Sequence, residues 1–289
     1  MIRRVSLSTT RLVRLPIRTC TPYLNTRAKS TTSMGTPDEH IHPVATGRAA
    51  ETVKQHQQPQ ELIFYAGWFC PYVQRSWIAL EEKGIPYQYK EVNPYKKEKH
   101  FLDINPKGLV PAIEYKGKAL YESLILCEFF EDAFPEHKPH LLPDDPFDRA
   151  YVRLWTDHVA KQIVPAFMRT VMAQEPDKQK ENLEEFYKAL RTISEKAKGP
   201  YFLGDQFSLV DVALAPWVVR DYILAENRGY SREAAGQKWK EYAEKLESRE
   251  SVQKTQSDKE HYAEIYARYL RNEAQSEAAK AIRAGRSFD

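Results

Sequence analysis

Apolar positions recur with a regular period only from Glu61 onward. ELIFY (61–65) is a short apolar, aromatic run that predicts a buried strand. In CPYVQRSWIALEEKG, which starts at Cys70, Val73, Trp77, Ile78 and Leu80 return at helical spacing. Pro71 suits the first helical turn, where its missing N–H has no partner to lose, and Gly84 is a stop. IPYQYKEV (85–92) alternates and predicts a second strand, and PYKKEKHFLDI a short charged helix. LVPAIEY (109–115) predicts a third strand, KGK a tight turn, ALY (119–121) a fourth strand, and SLILCEFFEDAF (123–134) a strongly apolar helix. A helical crossover joins the first two strands and makes them parallel. The close turn makes the last two antiparallel.

The order β-α-β-α-β-β-α predicts a mixed four-stranded sheet with helices on both faces, an α/β thioredoxin-like domain over residues 58–136. PEHKPHLLPDDP (135–146) carries four prolines and reads as a linker. After it strands stop, and residues 146–285 predict an all-α C-terminal helical domain. FDRAYVRLWTDHVAKQIVPAFMRTVMA predicts a long helix kinked at Pro165. SLVDVALAPWVVRDYIL is the most apolar helix and so the centre of this half, with Ser208 and Asp211 at capping-box spacing. The stretch 251–289 reads equally as a tail or as an extra helix against a dimer interface or a cleft.

Composition changes the picture mainly at the N-terminus. Residues 1–37 hold seven basic side chains and no acid, so the net charge of +3 hides a body with 36 basic against 40 acidic residues, or −4. The body offers no broad basic face for nucleic acid. The arginine-, serine- and threonine-rich start, with Val5, Leu7, Leu12, Val13 and Leu15 between the arginines, is the composition of a mitochondrial presequence. A start at Met34 would omit it and give a cytoplasmic form. Residues 1–55 are therefore read as transit peptide and polar linker, outside the fold. No run approaches the ~20 apolar residues of a membrane-spanning helix. The eight histidines are scattered and form no metal-ligand cluster.

Three cysteines, Cys20, Cys70 and Cys127, are too few and too scattered for a disulfide framework. Cys70 falls where the first strand gives way to the first helix. A thiolate there meets the positive end of the helix dipole and the unpaired N–H groups of the first turn, which predicts a pKa below the free value of ~8.5. The competing reading is a buried, inert cysteine; the preceding AGWF loop and following proline favour the reactive one. Cys127, mid-helix among apolar residues, reads as core. With no second cysteine within three residues, the site is monothiol and needs a small thiol from solution.

FCPYVQR, NPKGLVPAIEYKG, LYESLILCEFFEDAF and SLVDVALAPW together resemble the glutathione transferase superfamily over residues 60–250, and the cysteine in F-C-P-Y-x-x-R is similar to the omega class. The resemblance implies a glutathione site in the first domain: a cis proline at Pro111, the Val110 backbone against the glutathione cysteine, and Glu122 and Ser123 on the γ-glutamyl end. Lys97 would take the glycyl carboxylate, with Lys96 and Lys99 as substitutes; Phe69 would line the site, and Arg75 would pair structurally. It implies glutathione as co-substrate, no metal, and Cys70 as the catalytic nucleophile for thiol transfer or dehydroascorbate-type reduction of a small electrophilic or disulfide substrate. The family's alternative hydroxyl role is not assigned to Tyr65 or Tyr72. An acceptor pocket between the domains would draw on Trp155, Trp217 and Tyr222, with Trp68 at its rim; Trp155 and Trp217 read equally as helical core. A homodimer is implied. A conjugating transferase and a non-catalytic glutathione-fold module are the alternatives.

Overall fold

Leu62–Ala66 form β1, with Leu62, Phe64 and Ala66 turned into the core. A computed structural model describes residues 41–96 and 98–286; the presequence expectation, Cys20, Met34 and Lys97 lie outside the described residues. β1 runs parallel to β2 (Gln88–Glu91) and antiparallel to β3 (Ala112–Tyr115), which is antiparallel to β4 (Lys118–Tyr121). The sheet order is β2-β1-β3-β4; its parallel first pair and antiparallel last pair are those the pattern predicted. Lys116 and Gly117 both take positive φ, 51° and 71°, which closes the β3–β4 hairpin in two residues.

Before β1, residues Gly47–Gln55 form helix α1. After it come α2 (Pro71–Lys83), α3 (Lys99–Ile104) and α4 (Ser123–Ala133). α2 and α4 pack against each other, and α3 packs against β3. Pro71 opens α2 and Gly84, at φ 60°, closes it in the left-handed region. The sheet with these helices is the thioredoxin-like half.

The helical half begins with α5 (Pro146–His158), where the Asp145 carboxylate accepts from the Phe147 and Asp148 N–H groups. The predicted kink takes a specific form. A π-helical turn, Val159–Ile163, separates α5 from α6 (Val164–Met172), and Pro165 sits in the first turn of α6. Pro165 has no N–H for the carbonyl four residues back, and the wider turn absorbs the mismatch. Then follow α7 (Pro176–Ser194), α8 (Leu209–Val218), α9 (Asp221–Arg228), α10 (Arg232–Ala235), α11 (Gln237–Glu247), α12 (Glu250–Lys254), α13 (Lys259–Leu270) and α14 (Glu277–Arg283). Every residue of α8 is buried, and its capping box is formed: Asp211 accepts from the Ser208 N–H at 2.8 Å. α2 packs on α8, so the two halves share one core.

The reading of residues up to 55 as linker outside the fold needs correction. Ala49 and Thr52 of α1 are buried against α12. Thr52 Oγ1 donates to the Lys254 carbonyl at 2.7 Å, and the Thr46 N–H donates to Ser257 Oγ at 3.1 Å. His56 stacks on Tyr87 with ring centroids 3.8 Å apart. Only Ala49, Thr52 and half-buried Val53 pack inward, too few to show as an apolar run in sequence, and hydrogen bonds add to their packing.

Candidate active site

Cys70 is the N-cap of α2, with extended backbone at φ −79° and ψ 123°. Its N–H donates to the Gly67 carbonyl at 2.9 Å, and its carbonyl accepts from the Gln74 N–H at 3.1 Å. Those bonds fix the loop-to-helix corner and turn the half-buried side chain toward the Val110 carbonyl, 3.9 Å from Sγ. The sulfur opens onto a cavity of about 990 Å³ between the two halves.

The expected depression of the Cys70 pKa is not what the structure gives. Burial pushes the thiol above its ordinary value of 9.0; the N–H groups of Val73 and Tyr72 and the charges of Arg220 and Arg75 pull the other way without overcoming it. The helix start does favour the thiolate, but loss of water around the sulfur costs more. Cys127, sealed in α4, is pushed up further, to about 12, again by burial.

Phe69, Val110, Pro111, Glu122 and Ser123 line the same cavity as Cys70. The Val110–Pro111 bond is cis. The loop before it is shaped by Asn105, a buried side chain that donates to the Leu109 carbonyl at 2.8 Å and accepts from the Lys107 N–H at 3.0 Å. Glu122 occupies the N-cap of α4 at φ 77°, with no side-chain cap bond. A non-glycine residue in that region carries ~1–3 kcal/mol of strain. The side chain turns away from the helix to Lys107, 2.6 Å from its Nζ.

Trp217 lines the cavity, its ring edge-on to Tyr72 at 5.4 Å. Three other residues expected there do not. Trp68 is buried under the segment before α1: its indole N–H donates to the His42 carbonyl at 2.8 Å, and its ring leans on Tyr262. Trp155 belongs to the helical core, against Tyr151 and Phe202. Tyr222 donates to the Lys259 carbonyl at 2.9 Å and ties α9 to α13. In each case a neighbour distant in sequence takes the face that a pocket would have needed. Tyr72 reaches the cavity and Tyr65 does not.

Sequence reasoning missed Lys107, although NPKG was in view, and it missed the far wall. Tyr266 and Tyr269, one turn apart on α13, form that wall with Ser276, Glu277 and Lys280 around the start of α14. The C-terminal stretch is thus a helix against the cleft. Arg75 is buried, donates to the Ala213 carbonyl at 3.1 Å and lies 4.5 Å from the Trp217 ring centroid, joining α2 to α8. Among the described residues no group of His, Cys, Asp or Glu is placed to hold a metal ion, and no helix is long and apolar enough to cross a membrane.

Two family models match the chain: Glutathione S-transferase, N-terminal domain, over residues 69–133, and Glutathione S-transferase, C-terminal domain, over residues 170–221. The crystal structure of glutathione transferase Omega 3C from Trametes versicolor is 81% identical, covering 81% of this chain and 100% of that one, with a TM-score of 0.77. Glutathione S-transferase omega-1 of Sus scrofa is 35% identical over 167 residues, 56% of this chain and 68% of that protein. Rice GST1, solved in complex with glutathione, is 28% identical over 73% of this chain and 98% of that one, with a TM-score of 0.67.

Proposed function

Because this chain belongs to the glutathione transferase family and is an omega-class-like member of it, we propose that it is a glutathione-dependent thiol transferase in which Cys70 forms a mixed disulfide with glutathione. The observation that carries the proposal is a monothiol at a helix start, opening onto the cavity shared by Val110, Pro111, Glu122 and Ser123. Cys127 is buried in α4 and lies outside that cavity, so among the described residues no resolving thiol is offered there.

The donor set fits glutathione. Glu122 supplies a carboxylate for the γ-glutamyl ammonium, and the Ser123 start of α4 supplies N–H groups for the neighbouring carboxylate. Lys107 is a described cation at this cleft, and Lys97 is retained as a candidate for the glycyl end. Glutathione supplies the thiol reductant.

In the forward step the Cys70 thiolate attacks the glutathionyl sulfur of a mixed disulfide. A Cys70–glutathione disulfide forms as the acceptor leaves as its thiolate. Attack on that disulfide by a second glutathione thiolate frees Cys70 and yields glutathione disulfide. With a dehydroascorbate-type acceptor, two electrons and two protons pass to the acceptor, and two glutathiones end as one disulfide. Because the resting thiol is held above 9.0, exchange quickens as pH rises.

Intact mass after incubation with glutathione disulfide is the direct test: one glutathionyl group on wild type and none on Cys70→Ala supports the reading, and an unmodified wild type sinks it. Disulfide reduction lost in Cys70→Ala with conjugation gained supports thiol transfer, whereas unchanged conjugation supports a conjugating enzyme.

Two further parts of the proposal concern assembly and address. A homodimer is supported by exposed apolar residues on α4 and α5: Ile125 at 53%, Leu154 at 61% and Phe147 at 78% exposure. Phe147 and Leu154 are two turns apart on one face of α5. Sedimentation of Leu154→Asp beside wild type tests it. A mitochondrial location of the full chain, with a cytoplasmic form from Met34, rests on the basic, acid-free N-terminal composition and is tested by imaging the two forms as fluorescent fusions.

A further inference from the structure

Arg220 lies at the break between α8 and α9 and is fully buried. Its Nη2 donates to the Phe69 carbonyl at 3.2 Å. Its Nη1 donates to the Pro216 carbonyl at 2.6 Å and to the Gln74 side-chain oxygen. Its Nε–H, also buried, has no hydrogen-bond partner among the described residues. The guanidinium carbon stands 4.4 Å from the Tyr262 ring centroid.

None of these partners is a carboxylate. Buried Lys83 is paired with Glu131 at 2.7 Å, Arg232 with Asp221 at 2.7 Å, and Arg249 with Glu82. A guanidinium stripped of water and bonded only to neutral groups keeps a positive field that costs free energy unless an anion approaches. The placement of its bonds says which anion. Phe69 immediately precedes Cys70, and Gln74 is four residues after it on the first turns of α2, so two of the three bonds go to residues that flank Cys70 in the chain.

We infer that Arg220 is a positioning residue for Cys70: it holds the loop-to-helix corner through Phe69 and Gln74, and its charge is left without a carboxylate so that the Cys70 thiolate becomes its counter-ion. This deepens the reading of Cys70 as the nucleophile and rests on it. The other titratable groups around the sulfur agree. Arg75 on α2 carries the second positive charge, while Tyr266 on α13, beside the sulfur, and Tyr222 on α9, beside Arg220, are held neutral, chiefly by burial. Tyr262 on α13 meets Arg220 with its ring face. Burial opposes the thiolate; the Val73 and Tyr72 N–H groups, then Arg220 and Arg75, oppose burial.

The test is the pH dependence of Cys70 alkylation by iodoacetamide, followed by peptide mass, in wild type, Arg220→Lys and Arg220→Gln. Gln keeps donors for the Phe69 carbonyl and removes the charge; Lys keeps the charge. The Gln variant is expected to titrate about one pH unit higher, so that alkylation near neutral pH slows roughly tenfold. The Lys variant is expected to stay close to wild type. A folded Gln variant with the wild-type midpoint overturns the inference, since a purely structural arginine would not move it.

A second measurement needs no Arg220 variant. Asp and Asn at position 70 cap a helix equally well, so Cys70→Asp should melt above Cys70→Asn if a cation awaits an anion there. An Asp variant that melts lower overturns the inference. Alkylation involves no glutathione, so absence of the glutathionyl adduct with a shifted alkylation midpoint would refute the proposed function and leave this inference standing.

Discussion

Lys107 Nζ sits 2.6 Å from Glu122 Oε1, and both residues line the cavity onto which Cys70 opens. Both side chains are about half exposed, at 55% and 45%, so the pair adds little to stability. Its importance is geometric: Lys107 holds the side chain of Glu122, a residue with a strained backbone, at the cleft.

Glu122→Gln is therefore expected to leave the melting temperature unchanged. A charge-assisted bond to an ammonium would be lost, so KM for glutathione should rise roughly ten- to a hundredfold. Steady-state kinetics decide the matter. An unchanged KM would move γ-glutamyl recognition away from Glu122.

Arg75 couples the halves through the Ala213 carbonyl and the Trp217 ring. Arg75→Met forfeits a charge-assisted hydrogen bond and a desolvated cation–π contact, together about 3 kcal/mol. Chemical denaturation should show that loss. A variant within experimental error of wild type would mean that α2 and α8 are held by apolar packing alone.

The two described cysteines should differ in their response to pH. With its pKa above 9.0, Cys70 should alkylate slowly at neutral pH and about ten times faster for each unit of pH up to its midpoint. Cys127, held at about 12 by burial, should stay unmodified until the protein unfolds. A Cys70 midpoint below 8 would show that the helix start outweighs burial after all.

Glu91 links stability to pH. Its Oε1 accepts from the Trp68 N–H at 3.1 Å and its Oε2 from the Tyr89 hydroxyl at 2.9 Å. Burial of the carboxylate pushes its pKa up to about 7, against those two bonds. A raised folded pKa means that the contribution is full below the unfolded value of about 4.5 and is lost as pH rises through about 7. Wild type should therefore lose melting temperature relative to Glu91→Gln between pH 5 and pH 8. Parallel melting curves across that window would contradict the assignment.

Helix α1 is expected to contribute to stability rather than serve as a spacer. Removing residues 1–57 deletes the bonds from Thr46 and Thr52 to the segment after α11, and the His42 carbonyl over Trp68. At about 1 kcal/mol each, roughly 3 kcal/mol should be lost. Removing residues 1–36 leaves those three bonds in place and serves as the reference truncation. Equal stabilities for the two truncations would make α1 dispensable.

The reach of the sequence reading follows the range of the forces involved. Strand and helix order, the Lys116–Gly117 turn, the Ser208–Asp211 box and Cys70 at a helix start are all set within about four residues along the chain, through periodicity, backbone preference and capping. Val110, Pro111, Glu122 and Ser123 stand 40 to 53 residues from Cys70 along the chain and were legible only through the resemblance to the glutathione transferase superfamily.

Tertiary structure alone decided which aromatic residues face the cleft. Trp68 and Trp217 look alike in sequence, yet one is covered by His42 and Tyr262 while the other lines the cavity. It also decided the direction of the Cys70 pKa, because burial sums over side chains from both halves, whereas the helix start is a local effect. Arg220 reaches Phe69 across 151 residues of sequence. No periodicity encodes such a bond; it exists because the packing of α2 on α8 brings a guanidinium and a carbonyl into one water-free space.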